Sequence, residues 1–361
     1  MKAIIKSIFL LIGVIAISCS SDSMNQTFKQ NAGGAVGEII LVIDDGLWQG
    51  PVGDELKLTF RSSFPGLYRD EPLFTIRQVS PEKLTSTLRN VRNIIYVNTL
   101  DDNSEGSRII RSNYTSETID MIKKDPDLYM QTSQDDYAVG QETLHLFGRN
   151  SEEMAKNISE NRNKLRDYFN VTERKYITNK MVLTRESAAI KESMLNNLGM
   201  SLNMPIGYKV VRQTDDFVWF RDFDGKVDRN IYMHIKPYSS EADFTEENVL
   251  LWRDEIGKEH IYGDPNNPNS FMMTERRIPI AQRNLNFLNS KYSIESRGQW
   301  RTNNKSMGGS FLSYVFNDNE NKRIIYLEGF IYYPNEQHSD ILREIEAVLW
   351  TFREANSAAQ S

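Results

Sequence analysis

The stretch Gly37-Glu38-Ile39-Ile40-Leu41-Val42-Ile43-Asp44-Asp45 decides how the first half of the chain is read. Its apolar residues run without interruption and are mostly β-branched, which fits a strand buried on both faces, as in parallel sheets covered by helices on either side. The segments that follow alternate accordingly. Leu56, Phe60 and Phe64 recur at every fourth position between Gly53 and Phe64, a helical spacing that Pro65-Gly66 ends. Leu73 to Val79 reads as a second strand. Ser80-Pro81-Glu82 then reads as a helix start with Ser80 as N-cap, and Leu84, Leu88 and Val91 form its apolar stripe. Asn93 to Val97 supplies a third strand. Strand, helix, strand, helix, strand predicts parallel pairing through right-handed crossovers. Leu128 to Thr132 and Ala138 to Phe147 read as edge strands. A long helix begins near Ser151, with Met154, Ile158, Leu165, Tyr168 and Phe169 on one side, and Tyr176 to Leu198 reads as a helical connection.

The second half carries antiparallel signals. Tyr208 to Val211 and Phe217 to Phe220 flank the turn Thr214-Asp215-Asp216, and Ile231, Met233 and Ile235 alternate with Tyr232 and His234. A helix starts from Thr245, with Val249, Trp252, Arg253 and Ile256 on one face. Met272 to Ile280 and Lys291 to Arg301 read as strands, and Phe311 to Phe316 pairs with Arg323 to Tyr333 across Asn317–Asn321. Ser339 reads as the cap of a closing helix with Ile341, Leu342, Ile345, Val348, Leu349 and Phe352 on one stripe. The predicted fold class is therefore an α/β N-terminal domain with a partly parallel sheet, followed by an α+β domain with a mainly antiparallel sheet. The division read from the sequence is a signal peptide at 1–18, a tether at 19–36, the α/β domain at 37–175, the helical connection at 176–203, the α+β domain at 204–355 and a tail at 356–361.

The start of the chain has its own pattern. Lys2 and Lys6 precede the apolar run Ile8 to Ile17, and small Ser18 precedes Cys19, the n-region, h-region and small-residue site of an export signal. The run is too short for a membrane span, which needs about 20 residues. Ala16-Ile17-Ser18 before the cysteine is similar to a bacterial lipobox, which predicts acylation of Cys19 by palmitate-type chains; each buried methylene adds about 0.8 kcal/mol to anchoring. Ser20 to Ala35 is polar and rich in Ser, Asn and Gly, the composition of a flexible tether.

Composition removes several function classes. Cys19 is the single cysteine, so an intrachain disulfide, C-x-x-C redox chemistry and a multi-cysteine zinc site are all excluded. The net charge of −6 argues against binding a nucleic-acid backbone, which runs on clustered Lys and Arg. None of His145, His234, His260 and His338 is paired at metal-ligand spacing, and no cofactor or metal is expected.

The candidate ligand-binding residues are Asp44, Asp45, Trp48, Arg297 and Trp300. Asp44 and Asp45 fall where an α/β strand meets its following loop, the edge where such sheets place ligands, and one can act as a general base or both can hold Mg²⁺. The competing reading is that they solvate the loop or cap the next helix. Trp48 offers a stacking surface or packs over the sheet end. Arg297 and Trp300, near Gly308-Gly309, can form an anion- or glycan-binding face, or Arg297 can pair with Glu295 or Glu328 across the sheet.

Gly37 to Trp48, Pro205-Ile206-Gly207-Tyr208 with Phe217-Val218-Trp219, Arg297-Gly298-Gln299-Trp300, Gly308-Gly309-Ser310-Phe311 and Glu328-Gly329-Phe330-Ile331-Tyr332 with Pro334 together resemble a domain-of-unknown-function family of predicted lipoproteins from Bacteroidota. That resemblance covers nearly the whole mature chain and implies a cell-envelope location without implying an activity. The second half also looks loosely like the PsbP/Mog1 type of sheet with flanking helices. The expected function is that of a non-enzymatic binding or assembly protein. It would be anchored to the outer membrane through Cys19, face the periplasm, and meet an envelope protein or a glycan in the cleft between its domains. The alternative is a hydrolase of envelope material using Asp44 or Asp45. Cys19→Ala should move the protein from the membrane to the soluble fraction; membrane retention unchanged by the substitution would refute the anchor.

Overall fold

The computed structural model describes residues 29–264, 266–290 and 292–355; Cys19, the leader and the tail lie outside them. The first half begins with strand β1 (Glu38–Ile43), helix α1 (Asp45–Gln49) and helix α2 (Pro51–Phe60). Pro51 takes the first position of α2, where its missing N–H costs nothing. Gly53 lets α2 approach α1, because a Cβ there would lie 1.8 Å from the Trp48 carbonyl oxygen. Strand β2 (Thr75–Val79), helix α3 (Ser86–Arg89) and strand β3 (Asn93–Thr99) follow, then α4 (Glu105–Arg111), α5 (Ser116–Lys124), β4 (Met130–Gln134) and β5 (Glu142–Gly148). Helices α6 (Ser151–Glu160) and α7 (Arg162–Ile177) close this half.

Among the described residues these five strands form one sheet in the order β2-β1-β3-β5-β4, parallel except where β4 meets β5. The uninterrupted apolar run of β1 is explained by its two covered faces. Ile39, Leu41 and Ile43 pack with Val52, Leu56 and Phe60 of α2 and with α6 and α7, while Ile40 and Val42 pack with Ile94, Tyr96 and Ile110 on the other side.

Three local expectations are corrected here. The segment ending at Phe147 is an interior strand, hydrogen-bonded to β3 and β4 at once, so only β4 stands at the edge. Ser80 is no helix cap: its hydroxyl donates to Asp45, the chain makes one tight turn at Pro81–Lys83, and Thr85 caps the short α3 instead. Leu84, Leu88 and Val91 still pack inward, which is why a helical stripe was legible where most of the segment is not helix. Helices α4 and α5, capped by Ser104 and Thr115, went unread.

The connection runs through a single π turn (Thr178–Val182) and helix α8 (Ala188–Leu198). Strands β6 (Met200–Ser201), β7 (Lys209–Gln213), β8 (Phe217–Phe223) and β9 (Asp228–Pro237) open the second half, followed by α9 (Glu246–His260). Then come β10 (Met272–Thr274), β11 (Ala281–Asn284), β12 (Ser293–Thr302), β13 (Gly308–Asp318), β14 (Arg323–Tyr332) and α10 (Ser339–Leu349). The strand expected to run to Ile280 stops at Thr274, and the chain rejoins the sheet at β11, whose partner is also β12. The main sheet is antiparallel throughout, in the order β10-β12-β13-β14-β9-β8-β7. Helix α9 covers one face through Val249, Trp252 and Ile256. Helix α10 and the first half cover the other, where Leu342, Ile345 and Val348 share one core with residues of β1, α2 and α7.

Two buried carboxylates tie elements that the shared core only brings near. Glu71, 4% exposed, accepts the backbone N–H groups of His338 and Ser339 and so caps α10 from the first half; Ser339, expected to be the cap, is the first helical residue. Glu173 on α7 is wholly buried. It accepts from the Gly37 backbone (2.8 Å), Arg92 Nε (2.8 Å) and Asn93 Nδ2 (2.6 Å), pinning α7 to the starts of β1 and β3. Removing one member of a buried ion pair leaves the other charge uncompensated. Glu173→Gln should therefore lower the unfolding free energy by about 3–5 kcal/mol, read from urea denaturation; a loss below about 1 kcal/mol, the range of an exposed pair, would contradict this role.

Candidate functional site

The five residues singled out from the sequence do not converge. Asp44 is the N-cap of α1, accepting from the Gly46 backbone N–H at 2.9 Å. Asp45 is exposed and accepts from Gln78 Nε2 (2.9 Å) and Ser80 Oγ (3.0 Å). Trp48 is half-buried against the core, with Lys57 Nζ 4.5 Å from its ring centre. Arg297 and Trp300 lie three positions apart on β12, so the alternation of a strand sends them to opposite faces. Trp300 is buried under the α9 side and donates from Nε1 to the Ile331 carbonyl (3.0 Å). Asp44 has a second acid nearby: its Oδ2 and Glu82 Oε1 both approach Gly106, each 2.9 Å from where a Cβ there would stand. Among the described residues no group of three or more His, Cys, Asp or Glu side chains is placed to hold a metal ion. His234 and His260 do meet, with ring centres 5.6 Å apart, but as packing: Trp252 Nε1 donates to His234 Nδ1 and burial pushes the His234 imidazole down to about 4.

Arg297 leads to the site that the geometry does assemble. A cleft of about 530 Å³ lies between the two halves. One wall is a face of α7, where Asn163, Arg166, Asp167, Asn170, Val171 and Arg174 follow one another at helical spacing, together with Ser62 to Pro65 after α2. The opposite wall is β11 with Leu285 and Asn286. Glu295, Arg297, Arg343, Glu346 and Trp350 lie between. The loop after α2 is held against β12 by Gly66, whose φ of +79° and position against the Arg297 backbone leave no room for a side chain. Gln299 Nε2 donates to the Gly66 carbonyl at 2.7 Å.

The charges in the cleft form a graded network. Arg297, 5% exposed, sits between Glu295 (2.9 Å) and Glu346 (3.0 Å). Of its two expected partners Glu295 is the real one, since Glu328 pairs with Arg253 under α9. The Tyr314 hydroxyl lies within hydrogen-bond distance of both Glu295 (3.0 Å) and Glu346 (3.3 Å), sharing its single proton between them. Arg174 pairs with Glu346 (3.1 Å) and lies 3.7 Å from the centre of the Trp350 ring. At the rim Arg283 bridges to Asp167 across the walls (3.3 Å) and to Glu295 (2.9 Å).

Among the described residues, two guanidinium groups of the cleft have no carboxylate within ion-pair distance. Arg166 donates to the carbonyls of Thr59 (2.6 Å) and Leu58 (2.8 Å). Arg343, 5% exposed, donates to Asn170 Oδ1 (3.2 Å) and the Leu73 carbonyl, with the Phe74 ring centre 4.9 Å away. Burial holds both below the usual arginine range. The signal that would have found this site is charge where an apolar stripe was expected: Arg343 and Glu346 interleave with Leu342 and Ile345 on α10, and Glu295, Arg297 and Gln299 occupy alternate positions of a buried strand.

Residues 187–351 match a family described as Domain of unknown function (DUF4837), and residues 32–182 match another described as Domain of unknown function (DUF8532). Together the two matches cover most of the chain. No curated protein matches it. Among solved structures, the Ran-binding protein Mog1p of Saccharomyces cerevisiae is similar over 44% of this chain and 92% of its own, at 5% identity and a TM-score of 0.29. A Mog1 mutant is similar over 45% and 94%, at 6% identity and a TM-score of 0.28. The Mll3558 protein from Rhizobium loti is similar over 48% and 83%, at 9% identity and a TM-score of 0.13. The expected fold class, α/β with a partly parallel sheet and then α+β with an antiparallel one, is the architecture described above.

The buried carboxylates set an acid limit on this arrangement. Burial alone would push Glu295 up, but Arg297 and Arg283 outweigh it and bring the carboxyl from 4.5 down to about 2. A carboxyl depressed in the folded state contributes stability that is present above its unfolded value and lost as the pH falls toward its folded value. Unfolding free energy should therefore drop between about pH 4.5 and pH 2, and Glu295→Gln should flatten that drop while lowering stability at neutral pH. Parallel acid profiles of the two proteins in urea unfolding would contradict the assignment.

Proposed function

We propose that this chain is a lipid-tethered protein of the bacterial cell envelope, held by Cys19 at the outer membrane and facing the periplasm. It binds an envelope component, a protein or a glycan, in the cleft between its halves. The observation that carries the binding reading is the cleft itself: about 530 Å³, walled by α7 and β11, lined by charged and apolar side chains together, and resting on a core that both halves share. Clefts at domain junctions are a preferred place for ligands, and a network of fixed charges around an aromatic side chain supplies orientation. The tethering reading is supported by the export-signal pattern ending at the single cysteine and by the polar segment after it. Among the described residues no helix is long and apolar enough to cross a membrane.

No chemistry is assigned to the cleft, because its carboxylates are each engaged by arginines. Glu295 and Glu346 serve Arg297, Arg174 and Arg283, and neither is placed as a free acid or base.

Val171 is 37% exposed and lines the cleft without joining the charge network, so it can be enlarged with little cost to folding. Val171→Trp should reduce cross-linked capture of envelope material by the anchored protein at least tenfold, with the urea midpoint unchanged. Capture equal to wild type would move the binding surface elsewhere.

A further inference from the structure

The cleft is lined by five arginines against three carboxylates, in a chain whose overall charge is −6. Local excess of the sign opposite to the whole protein requires a reason, because every buried guanidinium loses hydration. For Arg297 and Arg174 the reason is internal, since Glu295 and Glu346 neutralise them. Arg343 and Arg166 have only neutral oxygens as acceptors. Arg343 is the more demanding case. It is 5% exposed and lines the cleft, and although Glu346, Glu173 and Asp340 attract it from a distance, none of them among the described residues touches it as an ion pair.

We propose that the cleft is a receptor for an anionic group, a carboxylate or a phosphate, which Arg343 and Arg166 bind and neutralise. This rests on reading the cleft as the place where the ligand enters. A planar guanidinium presents paired N–H donors in a fork that matches both kinds of anion, and such charge-assisted bonds are about twice as strong as neutral ones. Asn170 holds the Arg343 fork from α7, and the Thr59 and Leu58 carbonyls at the end of α2 hold Arg166, so both groups are oriented before a ligand arrives. Glu295 and Glu346, the carboxylates deepest in the cleft, are both engaged by Arg297. The pair formed by Asp167 and Arg283 at the rim is half-exposed and weak, so it can part to admit the group.

The test uses the full chain in detergent, titrated with inorganic phosphate and, separately, with succinate, each against sodium chloride at matched ionic strength. Tryptophan fluorescence reports occupancy through Trp350, and the melting temperature reports stabilisation by a ligand that binds the folded state. The expected result is a saturable response to phosphate, to succinate or to both, which names the anion. Arg166→Gln should weaken it about tenfold, as loss of a charge-assisted contact near 1.4 kcal/mol implies. Arg343→Lys, which keeps the charge but loses the fork, should weaken it by a similar factor. Arg277→Gln, on an exposed arginine paired with Glu275 outside the cleft, should leave it unchanged. No saturable response to either anion would overturn the proposal, and so would a response that survives both cleft substitutions undiminished. If Val171→Trp abolishes capture while neither anion registers, the cleft remains the binding place and its charge preference alone is refuted.

Discussion

The arrangement depends on one buried guanidinium. Arg297 leaves the antiparallel sheet on the face that meets the first half and is clasped by Glu295 from its own strand and Glu346 from the last helix. Alone, each of these charges would be costly to bury; together with Tyr314 they satisfy one another. The cluster fixes the distance between β12 and α10, and the loop after α2 can settle against the Arg297 backbone because Gly66 has no side chain.

Much of the framework could be read from residue order. The apolar run of β1 announced a doubly covered strand, and the turn at Thr214 to Asp216 announced its hairpin, because these features are local: the period of the chain and the chemistry of a turn act within a few residues. Ser80 and Ser339 were misread for the opposite reason. Each sits where a cap is expected, but Asp45 takes the hydroxyl of the first and Glu71 supplies the capping oxygen for the second, and both partners are distant in the chain. The edge position of β4 could not be separated from the interior position of β5, since both are short segments whose neighbours are set by crossovers.

The same distinction explains why only Arg297 of the cleft was singled out from the sequence. A ligand position at the carboxyl ends of parallel strands is a property of topology, and Asp44 and Asp45 stand at such an end, yet local hydrogen bonds already occupy them. The cleft arises where two folds abut. Its residues are contributed by α7, β11, β12 and α10, whose adjacency no spacing in the chain encodes. Arg174 illustrates the point: next to Lys175 it has the look of a surface pair, and only the arrival of Trp350 and Glu346 turns it inward.

The oxygen that Glu71 lends to the first turn of α10 bears on whether either portion of the chain could stand without the other. The two family matches divide the polypeptide near its middle, yet the terminal helix of the later portion is finished by an atom belonging to the earlier one. A gene rearrangement that separated the portions would strand those amide hydrogens without an acceptor and bare the apolar side of the helix. In this chain, then, the two portions are joined by a hydrogen-bonded carboxylate as well as by the peptide link.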